Sequence, residues 1–131
     1  MEREKVSLNF YADEFACKGS DCCGNTSAID LSLIEGLEEL RSLVKIRMGA
    51  NKPILITSGF RCKKHNEEIE GAINSRHTRG LAADIQAKGV PVSVLFECAL
   101  EVKQFKLGGI GLYNNRIHVD VGTGPRRWEV L

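Results

Sequence analysis

Ser75-Arg76-His77-Thr78-Arg79-Gly80-Leu81-Ala82-Ala83-Asp84 is the stretch on which the reading of this chain turns. It places a histidine and an aspartate with six residues between them. Further along, Ile117-His118-Val119-Asp120 supplies a second imidazole and a second carboxylate, in a chain with only three histidines. Neutral imidazole nitrogen and carboxylate oxygen are ligands that zinc accepts, and three protein ligands leave a fourth position open to water. Two histidines and two aspartates are therefore candidates to converge on one metal ion.

The flanks of this stretch predict how it is held. Ala82 to Ala87 alternates enough to be a strand, which puts Asp84 in a strand and His77 in the loop 71–79 before it. Gly80 and the small Ala82-Ala83 let backbone approach closely beside Asp84. Upstream, Pro53 opens Ile54-Leu55-Ile56-Thr57, an apolar run expected to be a strand buried on both faces. The run stops at Ser58-Gly59, so Arg61 lies just beyond a strand end, where site residues tend to lie. A short polar helix is expected from Lys63 to Ile69.

Downstream, Pro91 suits the first turn of a helix whose apolar face is Val94, Leu95, Cys98, Leu100 and Val102. Gly108-Gly109 breaks the chain. Ile110 to Tyr113 and Arg116 to Val121 then read as a hairpin across Asn114-Asn115. In its second strand Ile117, Val119 and Val121 share one face, and His118 and Asp120 the other. Trp128 is expected to dock back on the core. Earlier, Asp30 caps a helix over about 31–48, with Leu33, Leu37, Leu40, Val44 and Met48 on one side and Gly49 as its stop. That helix reads as scaffold packed on a sheet. Residues 1–29 read as an extended lead-in with a turn near Ala12-Asp13-Glu14, followed by a Cys/Gly-rich loop.

Composition sets the limits. A chain of 131 residues is expected to form one domain over 1–131. Hydrophobic content of 43% and charged content of 27% are those of a soluble globular protein. A net charge of +1 gives no electrostatic reason to expect nucleic acid. The charged Met1-Glu2-Arg3-Glu4-Lys5 is not followed by a signal-peptide run, and no stretch approaches the roughly 20 apolar residues of a membrane span. The expectation is a monomeric chain made soluble in the cytoplasm, without nucleic-acid or membrane partners.

The five cysteines are an odd number, and Cys17, Cys22 and Cys23 crowd into one loop. Reduced thiols are the first expectation for all five, including Cys62 and Cys98. A disulfide from the loop to Cys62 is the second. A small cysteine zinc site is the third, set back by the missing C-x-x-C spacing.

A metallohydrolase needs a Lewis acid, an activated water, a base and a cation for the developing oxyanion, and the chain has a candidate for each. Ser58-Gly59-Phe60-Arg61-Cys62 with Asn66, the stretch from Asn74 through His77 and Gly80 to Asp84, and Gly109-Ile110-Gly111 with His118-Val119-Asp120 resemble the zinc D-Ala-D-Ala carboxypeptidase family of metallopeptidases. The lead-in Asn9-Phe10 to Cys17 and the closing Gly122 to Trp128 resemble the short single-domain branch of that family, found among phage and prophage cell-wall enzymes. The resemblance implies an α+β domain with a mostly antiparallel sheet and packed helices, shared with the hedgehog signalling domain. It implies one zinc ion held by His77, Asp84 and His118, with Arg61 as the substrate-binding, oxyanion-stabilising arginine.

One departure bears on mechanism. Several groups of the family place an acidic general base three positions before the last histidine, and here that position is Asn115. Asp120 takes the base role in its stead, or it orients His118 as a hydrogen-bonded partner, which metal-binding histidines usually have. The expected function is zinc-dependent hydrolysis of peptide bonds in the peptidoglycan stem, as carboxypeptidase or endolysin-like endopeptidase, on a cell wall reached after release. The competing class is a non-catalytic, zinc-stabilised module that binds cell wall or protein. A cysteine enzyme built on Cys62 and His65 has a base nearby but no orienting group.

Overall fold

In the computed structural model, residues 3–25, 27–122 and 124–130 are described, so Met1 and Glu2 of the charged N-terminal stretch lie outside the described residues. The first long element, α1 (Leu31–Met48), starts where the Asp30 side chain accepts a hydrogen bond from Ser32 N. It ends at Gly49, whose φ of 74° is the left-handed conformation that costs glycine least. Leu33, Leu37, Leu40 and Val44 make its buried stripe. Both the span and the stripe are those expected from the sequence.

Five strands follow: β1 (Ile54–Ser58), β2 (Ala82–Ala87), β3 (Gly109–Tyr113), β4 (Ile117–Asp120) and β5 (Arg126–Val130). They form one sheet in the order β1-β2-β4-β3-β5. The β1–β2, β2–β4 and β4–β3 pairings are antiparallel, and β5 joins β3 in parallel. The remaining helices are α2 (Lys63–Glu68), α3 (Val92–Ala99) and α4 (Lys103–Lys106). α3 and α4 lie on the sheet, and α1 packs across them. Between them sits the core, with Ile85, Ile110, Ile117 and Val119 from the sheet facing Leu37, Leu40, Leu95 and Phe105. Four helices beside a mostly antiparallel sheet make this the expected α+β fold. Among the described residues, no helix is long and apolar enough to cross a membrane.

The structure departs from the sequence reading in four places. β1 is not buried on both faces: Ile54 and Ile56 are 3% and 9% exposed, but Leu55 between them is 51% exposed. β1 is an edge strand covered on one side only, so its apolar run still obeys the two-residue period. The single helix expected through Val102 is two, because Val102 is extended (φ −83°, ψ 121°) and α4 restarts after it. That break lets Val102 and Phe105 both reach the core, where neither retains any exposure. The loop 71–79 contains a 3-10 turn, Arg76–Arg79, with Ser75 Oγ accepting from His77 N at 3.2 Å. The closing segment holds β5, so Trp128 belongs to the sheet rather than merely docking on the core.

Candidate metal centre

Strand register builds the centre. Ser58 pairs with Asp84, Asp84 with His118, His118 with Gly111, and Gly111 with Trp128. Residues paired in register share a face, so one row crosses all five strands on the face opposite the core. Gly111 presents no side chain in this row, and a Cβ there would collide with the Trp128 indole. Trp128 therefore lies over β3 beside His118, the ring centroids 5.1 Å apart. One step along, Ala82 pairs with Asp120 and Gly109 with Arg126. The second glycine gap lets the Arg126 guanidinium reach across β3 to Asp120.

His77 comes from outside the sheet. The Arg76–Arg79 turn closes on Gly80, at φ 70°, and leaves the ring buried, 3% exposed. Its Nδ1 lies 2.8 Å from the carbonyl oxygen of Gly59, an acceptor only, so the proton sits on Nδ1. Nε2 is left as a lone pair, 3.4 Å from Asp84 Oδ1. His118 Nδ1 stands 3.1 Å from the same oxygen. One ligand atom from each of His77, Asp84 and His118 falls within a 4.8 Å span. Zinc held tetrahedrally at about 2.0–2.1 Å by nitrogen and oxygen has ligand–ligand edges of roughly 3.3 Å. The donor set and its spacing fit that ion.

The electrostatics point the same way. Burial alone would raise the Asp84 carboxyl, but the His118 and His77 imidazoles beside it outweigh burial and hold the group well below the usual carboxylate range. Burial would lower the His118 imidazole, yet Asp120 and Asp84 together raise it. Asp84 is thus held ionised between the two imidazoles, the form in which a carboxylate binds a divalent cation.

Asp120 lies behind His118 rather than beside Asp84. It has no exposure; Oδ2 is 2.7 Å from His118 Nε2, while Oδ1 accepts from Gly109 N at 2.8 Å and from Arg126. Burial raises its carboxyl, but the bonds from His118 and Gly109 bring it below its ordinary value. Arg61 reaches the centre from beyond β1. It donates from Nε to Ser58 Oγ and from Nη1 to Asn66 Oδ1, each at 3.2 Å, and turns Nη2 to within 3.5 Å of Asp84 Oδ2.

A cleft of about 270 Å³ opens over these groups. Its walls carry Arg61, Arg76, Arg116 and Arg126, with Tyr113 and Trp128 at one side and Ser75 at another. Trp128 Nε1 donates to Tyr113 Oη at 3.0 Å, which fixes both rings. Asp84 and Asp120 are the carboxylates among the described residues that line it. Asn115 does not; its backbone oxygen accepts from Gln86. His65 stands apart against the cysteine loop, beside Gly19.

The sequence reading brought together His77, Asp84, His118, Asp120 and Arg61, and all five line this cleft. It missed Tyr113, Arg116, Arg126 and Trp128. The available signal was the Gly109-x-Gly111 pair, two residues without side chains on one strand face, which calls for large groups from a neighbouring strand.

Residues 8–120 match the Peptidase M15 family. The chain is 34% identical over 135 residues to the peptidoglycan L,D-endopeptidase MepK of Escherichia coli (strain K12), covering 97% of this chain and 65% of that protein. It is 33% identical over 127 residues to the zinc D-Ala-D-Ala carboxypeptidase of Streptomyces albus G, covering 93% of this chain and 49% of that protein. The chain thus spans roughly half to two thirds of the length of these relatives.

Proposed function

The chain belongs to the peptidase M15 family, and on that premise we propose that it is a zinc-dependent peptidase of the peptidoglycan stem peptide. The observation that carries this reading is the convergence of His77 Nε2 and His118 Nδ1 on Asp84 Oδ1, at 3.4 Å and 3.1 Å, on the floor of an arginine-lined cleft. His77, Asp84 and His118 would hold the ion. When bound, zinc would supply Lewis acidity and lower the pKa of a coordinated water to about 7.

The chain's own residues supply the rest. Arg61, braced by Ser58 and Asn66, offers its remaining N–H groups to the carbonyl oxygen or to a terminal carboxylate of the substrate. Gly59 O keeps the His77 proton on Nδ1, and Asp120 does the corresponding work for His118 by accepting from Nε2. Of the two roles left open for Asp120, burial and engagement of both oxygens support the orienting one. Arg76 and Arg116 give the cleft mouth a positive field, matched to a peptide rich in free carboxylates. Hydrolysis places the hydroxyl of water on the carbonyl carbon, breaks the C–N bond and leaves the proton on the departing amine.

Purified peptidoglycan incubated with the zinc-loaded protein should release new amino groups, and a chelator should stop it. Free D-alanine among the products assigns a carboxypeptidase; new internal amines without D-alanine assign an endopeptidase. One observation favours a second reading, a cell-wall-binding module: the two carboxylates that line the cleft are both occupied. Sedimentation with peptidoglycan, with no release at full zinc loading, would establish that reading instead.

A further inference from the structure

Cys17, Cys22, Cys23 and Cys62 bring their sulfurs within 4.8 Å of one another. Cys17 Sγ lies 3.8 Å from Cys62 Sγ and 4.0 Å from Cys22 Sγ, and Cys22 Sγ lies 3.9 Å from Cys23 Sγ. A tetrahedron of sulfurs at about 2.3 Å from zinc has edges of roughly 3.8 Å. The near-equality of the three separations is itself informative. A disulfide would single out one pair and leave the others longer, whereas a metal holds all its ligands at similar spacing. We propose that these four cysteines bind a second zinc ion, in a closed structural site distinct from the His77–Asp84–His118 centre.

The surrounding backbone is shaped for this. In the segment 17–25 only Cys17 is buried, so apolar packing does little to order it. It is nonetheless sharply turned, with positive φ at Asp21 (52°), Gly24 (72°) and Asn25 (61°). Gly19 has no room for a side chain: a Cβ there would stand 2.7 Å from Cys22 Sγ and 2.9 Å from His65. Backbone N–H groups point at the sulfurs, Cys62 N at Cys17 Sγ (3.5 Å) and His65 N at Cys62 Sγ (3.4 Å). Such donors stabilise thiolates that ligate a metal.

Zinc binding by four thiols releases four protons and leaves a net charge of two minus on the cluster. Lys64, whose Nζ donates to Asp21 O at 2.7 Å, holds a cation against the same loop. The missing C-x-x-C pair is explained by topology: the fourth ligand arrives from the far end of β1, not from a second knuckle. Cys98 is not part of the cluster but of the core beneath α3. The consequence for the cleft is direct, because Cys62 follows Arg61. An ion here would tie the lead-in to the strand end that carries the arginine, beside the Phe60 N to Phe15 O bond of 2.8 Å.

The test counts metal in the full chain, purified under reductant and loaded with zinc. About two zinc ions per chain are expected, of which a thiol-specific mercurial releases one. His77→Ala should keep the mercurial-sensitive ion, and Cys22→Ser/Cys23→Ser should keep the other. Cobalt-loaded wild type should show a near-ultraviolet thiolate-to-cobalt charge-transfer band, which the His77→Ala variant retains. The wild-type mercurial and cobalt readouts decide the matter even if the cysteine variant does not fold. One zinc per chain that vanishes in His77→Ala, no charge-transfer band, or a non-reduced peptide map linking any of these cysteines would overturn the proposal. None of these readouts depends on peptidase activity, so failure here is separable from failure of the proposed function.

Discussion

Asp120→Asn separates orientation from proton acceptance at the centre of the site. The aspartate accepts from three directions with no exposure to solvent: Gly109 N at 2.8 Å, His118 Nε2 at 2.7 Å, and Arg126. An asparagine has one acceptor oxygen. Gly109 N is fixed in the sheet, so that oxygen stays on the Gly109 and Arg126 side, and the amide N–H group then faces His118 Nε2. Two donors cannot share that gap, and the imidazole proton must move to Nδ1, the atom turned toward Asp84. A protonated Nδ1 is no metal ligand. The lost charge-assisted bond is worth roughly 1.5–3 kcal/mol. Losing such a supporting partner typically weakens metal binding about 10–100-fold, which is about 1.4–2.7 kcal/mol. The two routes agree. Competition with a chromophoric chelator should show that loss in affinity, and saturating zinc should restore most of the turnover. Unchanged metal affinity with turnover abolished, and loss of the acid limb of the kcat/KM profile, would refute the orienting role and make Asp120 the proton acceptor.

Arg61→Ala should retain zinc by direct metal analysis yet lose on the order of 10²–10³ in turnover, the usual loss for one oxyanion donor; an unchanged rate removes Arg61 from the chemistry. His77→Ala should lose the chelator-sensitive ion of the cleft, and full retention would dissolve the three-ligand assignment. Glu38 fastens the lead-in to α1 by accepting from Ser7 Oγ, Asn9 N and Asn9 Nδ2, each at 2.6 Å. Burial raises its carboxyl, but these bonds outweigh burial and hold it below its unfolded value of about 4.3. Its contribution is therefore present above that pH and lost as pH falls through the folded value. Urea titration should show Glu38→Gln destabilised by about 1–2 kcal/mol at neutral pH, with the gap closing below about pH 4; an equal gap at both pH values would count against it. Gly111→Ala should displace the chain's only tryptophan, cost about 1–3 kcal/mol and shift the emission to the red, whereas unaltered emission would mean that Trp128 does not lie over β3.

The proposed ligands were legible as candidates because their chemistry survives as spacing. His77 and Asp84 lie within one short stretch, and alternation in β4 set His118 and Asp120 apart from Ile117 and Val119. The α1 span was equally plain, since Asp30 and Gly49 mark its ends chemically. What stayed hidden lacked a local signature. β5 is an edge strand with no buried residue, and Arg126 shares its half-buried face with Trp128, so no regular apolar face marks Arg126 to Val130. The break between α3 and α4 has no proline or glycine at Leu100-Glu101-Val102; core packing of Val102 and Phe105 imposes it. The cysteine cluster joins residues 17 and 62, and no count of nearby spacings reveals a contact that the sheet creates.

The cross-strand row has a consequence for how the chain tolerates change in length. Because facing alternates at every residue, a single deletion within β2 or β4 would do more than shift a proposed ligand. It would turn Asp84 or His118 into the apolar core and push Ile85 or Val119 out into the cleft, inverting inside and outside over the whole strand. The Asn114-Asn115 turn carries no such constraint, since the strands on either side keep their facing whatever joins them. Insertions and deletions should therefore be survivable in that turn and ruinous a few residues beyond it, at Ile117 to Asp120.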